Sequence, residues 1–173
     1  MEDKPRNVFS SIAPPEHEYY CCIWELVKLG ELENLEGRRK ILGQLMLKHP
    51  QYQYFWEIPY LFAETELEKA LEEERVNPDL HLTIEAIVLE QVENRDPPEI
   101  SEAYKALLAT GIDQHEVRHV IGRVFTEMLL EGSQMAKKGQ QPDEDFYLRR
   151  IRYLAKHPKK VIKDQERKWQ KGL

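Results

Sequence analysis

The sequence lacks the features of a secreted or membrane protein. Its 173 residues contain two cysteines, Cys21 and Cys22, whose adjacency suits neither a disulfide framework nor a Cys-x-x-Cys site. No apolar run approaches the roughly 18 residues of a spanning helix, and no apolar signal core follows the charged first residues. We therefore expect a cytoplasmic protein with no membrane partner, in which both cysteines are partly buried helix residues.

Glycine and runs of β-branched residues are also scarce, with eight Gly in the chain. Apolar residues recur instead at the spacing of helix turns, which predicts an all-α protein. We expect a single-domain helical bundle of about six or seven helices, with its helical domain over residues 1–154. A chain of this length buries roughly 70% of its unfolded surface, so the core needs no metal or disulfide to form.

Capping residues and prolines indicate where several predicted helices begin and end. After an aromatic connector, an acidic third helix is expected around residues 64–75. Asn77 caps the fourth helix, and Asp113 caps a long sixth helix. Asp143 caps a seventh helix, which is interrupted at Pro158.

The net charge of −6 conceals a basic C-terminal end. Residues 149–173 carry ten Lys or Arg against two acidic residues, a net charge of +8, which leaves −14 on the rest of the chain. We expect residues 155–173 to form a basic extension, for which docking on an acidic partner is one of two interpretations. The acidic body repels nucleic acid, for which the chain has no specific motif. The alternative is that Trp169 packs back on the bundle and the basic charges offset those of the body.

Two potential metal ligands lie on the apolar side of the fourth predicted helix. At about 100° per residue, His81 and Glu85 fall within the apolar arc, one turn apart. The opposite side is expected to face water and carries Asp79, Thr83, Glu90 and Glu93. His49 lies at the centre of the apolar arc of the second helix. Because an unpaired buried charge is costly or neutralises itself, Glu85 needs a partner.

The sixth predicted helix carries a second pair of potential ligands. His115, Glu116 and His119 make the His-Glu-x-x-His spacing, in which both imidazoles lie on one face and can share a divalent metal. The third ligand of a zinc protease is missing, because Phe125 stands where it would be expected. The alternative is that this face of the helix is solvated.

One interpretation of these patterns is a site for a divalent metal, with zinc or iron as the ion. The order of the ligands resembles that of hemerythrin, by analogy only. Glu116 is a weak candidate for a catalytic proton-transfer group. The predicted metal ligands are His81, Glu85, His115 and His119, with His49 and Glu127 as further candidates.

Several short motifs along the chain resemble those of one protein family. They are Asn77-Pro78-Asp79-Leu80-His81-Leu82, Asp96-Pro97-Pro98, His115-Glu116-Val117-Arg118-His119 and Gln141-Pro142-Asp143. In this combination they resemble the bacterial domain-of-unknown-function family numbered 1841, from about His49 to Leu154. The resemblance implies a small cytoplasmic helical protein with no established activity. It also implies a His at the position of Glu85, where Glu keeps the ability to bind a metal but changes the charge. The family positions that match are His81, His115, Glu116, His119 and Glu127.

Two functions of different classes remain open from the sequence. The favoured one is a non-enzymatic interaction module in which the His and Glu side chains form a buried polar network, because nothing identifies a substrate. The alternative is a divalent-metal-binding helical bundle, or a metal-dependent enzyme of unknown reaction. No nucleophile arrangement is recognisable, so the sequence leaves open whether the protein is an enzyme.

Overall fold

The computed structural model describes residues 17–57, 77–139 and 144–170, with the backbone alone for residues 144 and 168–170. The described residues form eight α-helices and no strand. In chain order the helices are α1 (His17–Lys28), α2 (Gly37–Lys48), α3 (Gln53–Trp56), α4 (Pro78–Asn94), α5 (Pro98–Leu108), α6 (Gln114–Lys137), α7 (Glu144–Lys156) and α8 (Pro158–Gln170). None of these helices has the length and apolar composition needed to cross a membrane.

The all-α prediction is confirmed, but six or seven helices is too low a number, since the described residues alone contain eight. The aromatic connector includes α3, whose four residues are too few for a recognisable amphipathic period. The seventh predicted helix is two helices, because Pro158 has no backbone N–H with which to continue α7. The predicted acidic helix around residues 64–75 and the predicted cap Asp143 lie outside the described residues.

Side-chain caps begin two helices, as the sequence predicts. Asn77 Oδ1 accepts a hydrogen bond from the backbone N–H of Leu80 at 3.0 Å, at the start of α4. Asp113 Oδ1 accepts one from the backbone N–H of Glu116 at 2.9 Å, at the start of α6. This hydrogen bond holds the pKa of Asp113 below its ordinary value, so the carboxylate stays ionised beside the positive end of the helix.

The chain divides into two compact units, Met1–Ala86 and Ile87–Leu173, called the first and second unit below. The boundary falls within α4. In the first unit, α1 contacts both α2 and α3. Gly43 allows α2 to approach α1 closely, because a Cβ at this position would lie 3.0 Å from Cγ2 of Val27. The apolar core of this unit includes Tyr20, Ile23, Trp24, Leu42, Leu45, Met46, Phe55, Trp56, Leu82 and Ala86.

In the second unit, α5 and α7 make the most extensive helix pair, and α6 contacts both of them. The same unit contains α8, which also contacts α5 and α7. Its apolar core includes Ile100, Ala103, Leu107, Val117, Val120, Ile121, Phe125, Tyr147, Ile151 and Leu154.

Helix α8 contains most of the predicted basic extension. Its residue Gln165 is buried, and Nε2 of Gln165 donates a hydrogen bond to the carbonyl of Val120 at 3.2 Å. Oε1 of Gln165 accepts one from Nη1 of Arg123 at 3.1 Å. The predicted boundary between a domain over residues 1–154 and an extension over 155–173 stays a prediction. The side chain of Trp169 lies outside the described residues.

Candidate metal centre

Three of the predicted ligands lie together in the first unit. His49 directly follows α2, which ends there because Pro50 cannot donate the next backbone hydrogen bond. His81 and Glu85 lie one turn apart on α4. Glu85 Oε1 is 3.5 Å from His49 Nε2 and 3.4 Å from His81 Nε2. Each of the three residues offers a potential ligand atom within 4.8 Å of the other two. These three residues are called the trio below.

The members of the trio differ in their exposure to water. His49 is 1% exposed and Glu85 is 2% exposed, whereas the side chain of His81 is 20% exposed. The ring of Tyr52 stacks on that of His49 at a centroid distance of 5.9 Å and meets His81 edge-on at 5.7 Å. Solvent therefore reaches the trio at His81, while Tyr52 covers the ring of His49.

A backbone hydrogen bond decides which nitrogen of His49 faces Glu85. Nδ1 of His49 lies 2.8 Å from the carbonyl oxygen of Leu45. Because a carbonyl can only accept, Nδ1 carries the hydrogen and donates it. Nε2, which faces Glu85, then carries either a lone pair or a second proton. A buried carboxylate needs a proton, a positively charged neighbour or a bound cation to neutralise it, and Nε2 of His49 is placed to take part in any of the three.

His115 and His119 lie one turn apart on α6, in the second unit. Their ring centroids are 4.2 Å apart, and each ring offers a nitrogen within 4.8 Å of one on the other. His115 is exposed and His119 is half-buried. The two imidazoles therefore have the separation at which neighbouring turns of a helix can bind one divalent ion.

The two other acidic candidates have arginine partners within the second unit. Glu116 Oε1 is 3.9 Å from Arg123 Nη1, and the side chain of Glu116 is 42% exposed. Glu127 Oε2 accepts a hydrogen bond from Arg150 Nη2 at 2.5 Å. A charge-assisted bond of this kind would have to be replaced before Glu127 could bind a metal.

On the side of α4 that was predicted to face water, Glu93 is exposed, but Asp79 and Thr83 are buried, contrary to the prediction. Asp79 is 7% exposed and Thr83 is 4% exposed. Asp79 accepts hydrogen bonds from Trp56 Nε1 at 2.9 Å and from His17 Nδ1 at 2.8 Å. Thr83 donates its hydroxyl to the carbonyl of Asp79 and accepts a hydrogen bond from the hydroxyl of Tyr20. A helical wheel gives the direction of a side chain, but not whether another helix covers it; here α1 and α3 do.

His17 also contacts a cysteine, through its other ring nitrogen. Nε2 of His17 lies 3.3 Å from Sγ of Cys21. Burial lowers the pKa of His17, but the hydrogen bonds with Asp79 and Cys21 outweigh burial and raise that pKa to about 9. The sequence contains a signal for the His17–Cys21 contact, since the two residues are four apart on a helix. It contains none for Asp79, which lies 62 residues away.

The fold and the trio define an all-helical protein whose described part contains a His/Glu cluster that could hold a metal ion. The model of a family described as a domain of unknown function, DUF1841, matches residues 16–153. The chain belongs to this family, which confirms the resemblance seen in its motifs. Comparisons with curated proteins and with solved structures give no match. The function must therefore be inferred from the site.

Proposed function

We propose that this protein binds a divalent metal ion through His49, His81 and Glu85, with zinc as the preferred ion. The observation that carries the proposal is the distance between donor atoms. The two Nε2 atoms lie 3.5 and 3.4 Å from the same carboxylate oxygen. Donor atoms that are each about 2.1 Å from a tetrahedral zinc ion are about 3.4 Å apart. Two of the three donor separations in the trio therefore have the length that tetrahedral coordination requires.

Other arrangements of the same groups would have different distances. A hydrogen bond between an imidazolium and a carboxylate is usually about 2.7–2.9 Å long, which is shorter than both separations. Donor atoms around an octahedral magnesium ion would be about 3.0 Å apart, and magnesium prefers oxygen ligands. Two imidazoles and one carboxylate suit zinc, and iron is the second candidate ion.

The charge of Glu85 supports the same proposal. A carboxylate that is 2% exposed is unfavourable unless a positive charge compensates it. A divalent cation compensates this charge without requiring either histidine to be protonated, and neutral imidazole is the form that binds metals. A bound cation is therefore compatible with the burial of Glu85 and His49 beside the half-buried His81.

The hydrogen bond between His49 and the carbonyl of Leu45 is of the kind that usually positions a metal-binding histidine. A ligating histidine commonly donates its second N–H to a backbone carbonyl, which holds the ring in place and makes the ligating nitrogen more basic. The hydrogen bond from Nδ1 of His49 to Leu45 has this geometry and leaves Nε2 directed at Glu85.

We propose His115 and His119 as further imidazole ligands because of their one-turn spacing within α6. Glu127 is a weaker candidate, since Arg150 already binds its carboxylate. Glu116 stays a candidate proton-transfer group, and no reaction is assigned to the ion.

The experiment is a measurement of metal in the full-length protein, purified without a His tag. Elemental analysis is expected to find about one zinc ion per chain, and competition with a chromogenic chelator gives the affinity. Glu85→Gln keeps the shape of the side chain but removes its charge, so zinc affinity should fall at least about tenfold. Glu93→Gln is the matched control, because Glu93 is an exposed residue of the same helix.

Two results would contradict the proposal. One is a purified protein that contains no metal and takes up no zinc on titration. The other is a Glu85→Gln variant that binds zinc as tightly as Glu93→Gln does. Either result would favour the other interpretation of the sequence. In that interpretation the trio is a polar network within a non-enzymatic interaction module.

A further inference from the structure

A cysteine, a histidine and an aspartate form a continuous chain of contacts in the first unit. Sγ of Cys21 lies 3.3 Å from Nε2 of His17, and Nδ1 of His17 lies 2.8 Å from Oδ2 of Asp79. The histidine therefore contacts the thiol with one nitrogen and the carboxylate with the other. This is the order of groups by which enzymes activate a nucleophile, with a base beside it and a third group orienting the base.

We propose that Cys21 is an activated nucleophile that accepts acyl groups from ester substrates, with His17 as its base and Asp79 as the positioning residue. The sulfur of the Cys21 thiolate attacks the carbonyl carbon of the ester, so that a C–S bond forms and the C–O bond to the alcohol breaks. The proton that His17 took from the thiol passes from Nε2 to the departing oxygen. The products are an S-acylated Cys21 and the free alcohol.

Asp79 is held so that it can orient His17. Its second oxygen accepts the indole N–H of Trp56 at 2.9 Å, which leaves Oδ2 for His17. Because the carboxylate accepts the hydrogen on Nδ1, the other nitrogen of the ring is directed at the sulfur. The ring of His17 also meets Phe55 edge-on at a centroid distance of 4.8 Å, which restricts its rotation.

The contacts of His17 favour the protonated form of its imidazole. The groups that face the ring are Asp79 from α4 and Cys21 from α1, and both raise the pKa of His17 against the opposing effect of burial. A protonated imidazole next to a thiol stabilises the thiolate, which is the reactive form of cysteine.

The neighbouring residue Cys22 provides an internal control. Cys21 is half-buried, as expected, whereas Cys22 is exposed, contrary to the expectation that both cysteines are partly buried. Among the described residues no side chain hydrogen-bonds the thiol of Cys22. The two thiols share the same helix and the same solution conditions but differ in their contact with His17.

The test compares two variants that each keep one thiol, Cys22→Ser and Cys21→Ser, in the full-length protein. Each is treated with p-nitrophenyl acetate, and acetylation is followed by release of p-nitrophenolate and by intact mass. At pH 6.5 an ordinary thiol with a pKa of about 8.5 is only about 1% thiolate. We expect Cys21 to be acetylated at least about tenfold faster than Cys22 at this pH, after allowing for the lower intrinsic reactivity of a stabilised thiolate.

The pH profile separates activation by His17 from mere accessibility. Below pH 8 the rate at Cys22 should fall about tenfold per pH unit, whereas the rate at Cys21 should change little between pH 6.5 and 8. Adding His17→Asn to the Cys22→Ser variant should restore the steep pH dependence at Cys21. Equal rates at the two thiols, or the same steep profile for both, would overturn the proposal even if the His17 variant does not fold.

Discussion

Asp79 and His81 stand two residues apart on α4 and belong to different clusters. Because each residue turns a helix by about 100°, their side chains leave α4 about 160° apart. Asp79 contacts His17 and Trp56, whereas His81 contacts Glu85. One short stretch of α4 therefore takes part in both clusters. Asp79 contacts His17 on one side of the helix, and His81 contacts Glu85 on the other.

The first prediction concerns the histidine pair of α6. We expect the double variant His115→Ala and His119→Ala to bind zinc at least about tenfold more weakly than the wild-type protein, because it lacks two imidazole ligands. His157→Ala is the control, since His157 is exposed and lies beyond α7. Zinc affinity is measured by chelator competition and stability by thermal melting. If both quantities are unchanged, His115 and His119 are not metal ligands.

The second prediction is a pH dependence of stability caused by His17. Its pKa is about 9 in the folded protein and 6.5 without these contacts, so the folded state binds the proton more tightly. Protonated His17 therefore stabilises the folded state fully below pH 6.5, and this contribution is lost as the pH rises towards 9. At pH 6 we expect the unfolding free energy of the wild-type protein to be about 2 kcal/mol higher than that of the His17→Asn variant.

This difference should largely disappear by about pH 9.5, and urea unfolding of both proteins across the range measures it. The comparison with the variant removes the contributions of the other titrating groups that both proteins share. A difference that is the same at pH 6 and pH 9.5 would show that His17 is not protonated in the folded protein.

The third prediction concerns the buried hydroxyl pair of Tyr20 and Thr83. Thr83→Val keeps the shape of the side chain but leaves the Tyr20 hydroxyl without its acceptor, and Tyr20 is 0% exposed. We expect a loss of about 1–3 kcal/mol in unfolding free energy. Thr126→Val is the control, because the Thr126 hydroxyl donates to a carbonyl of its own helix, that of Gly122. The control should change stability by less than about 0.5 kcal/mol, and equal losses would contradict the prediction.

The fourth prediction concerns α8. A chain that ends at His157 loses the buried Gln165 and its hydrogen bonds with Val120 and Arg123. We expect the melting temperature to fall by about 4–8 °C, which corresponds to about 2 kcal/mol in a chain of this length. A chain that ends at Gln170 is the control and should melt like the full chain. If the shorter chain melts unchanged and loses only binding to acidic partners or polyanions, α8 is a dispensable electrostatic arm.

The sequence predicts much of the local structure because the determinants lie close together in the chain. Asn77 and Asp113 are recognisable caps since each bonds a backbone N–H three residues ahead. The pairs His81 with Glu85 and His115 with His119 are recognisable because a helix brings residues four apart onto one face. The helix α3 is not recognisable, because four residues show no period.

The amino-acid sequence by itself determined the all-α class, the positions of these caps, the break at Pro158 and the membership of the family. The tertiary structure alone decided that His49 faces Glu85 and that Asp79 is buried with His17 rather than exposed to water. The physical reason is that a helical period describes one helix at a time. Whether a polar face meets water or a partner depends on which distant helix covers it, and that choice is made by packing over the whole unit.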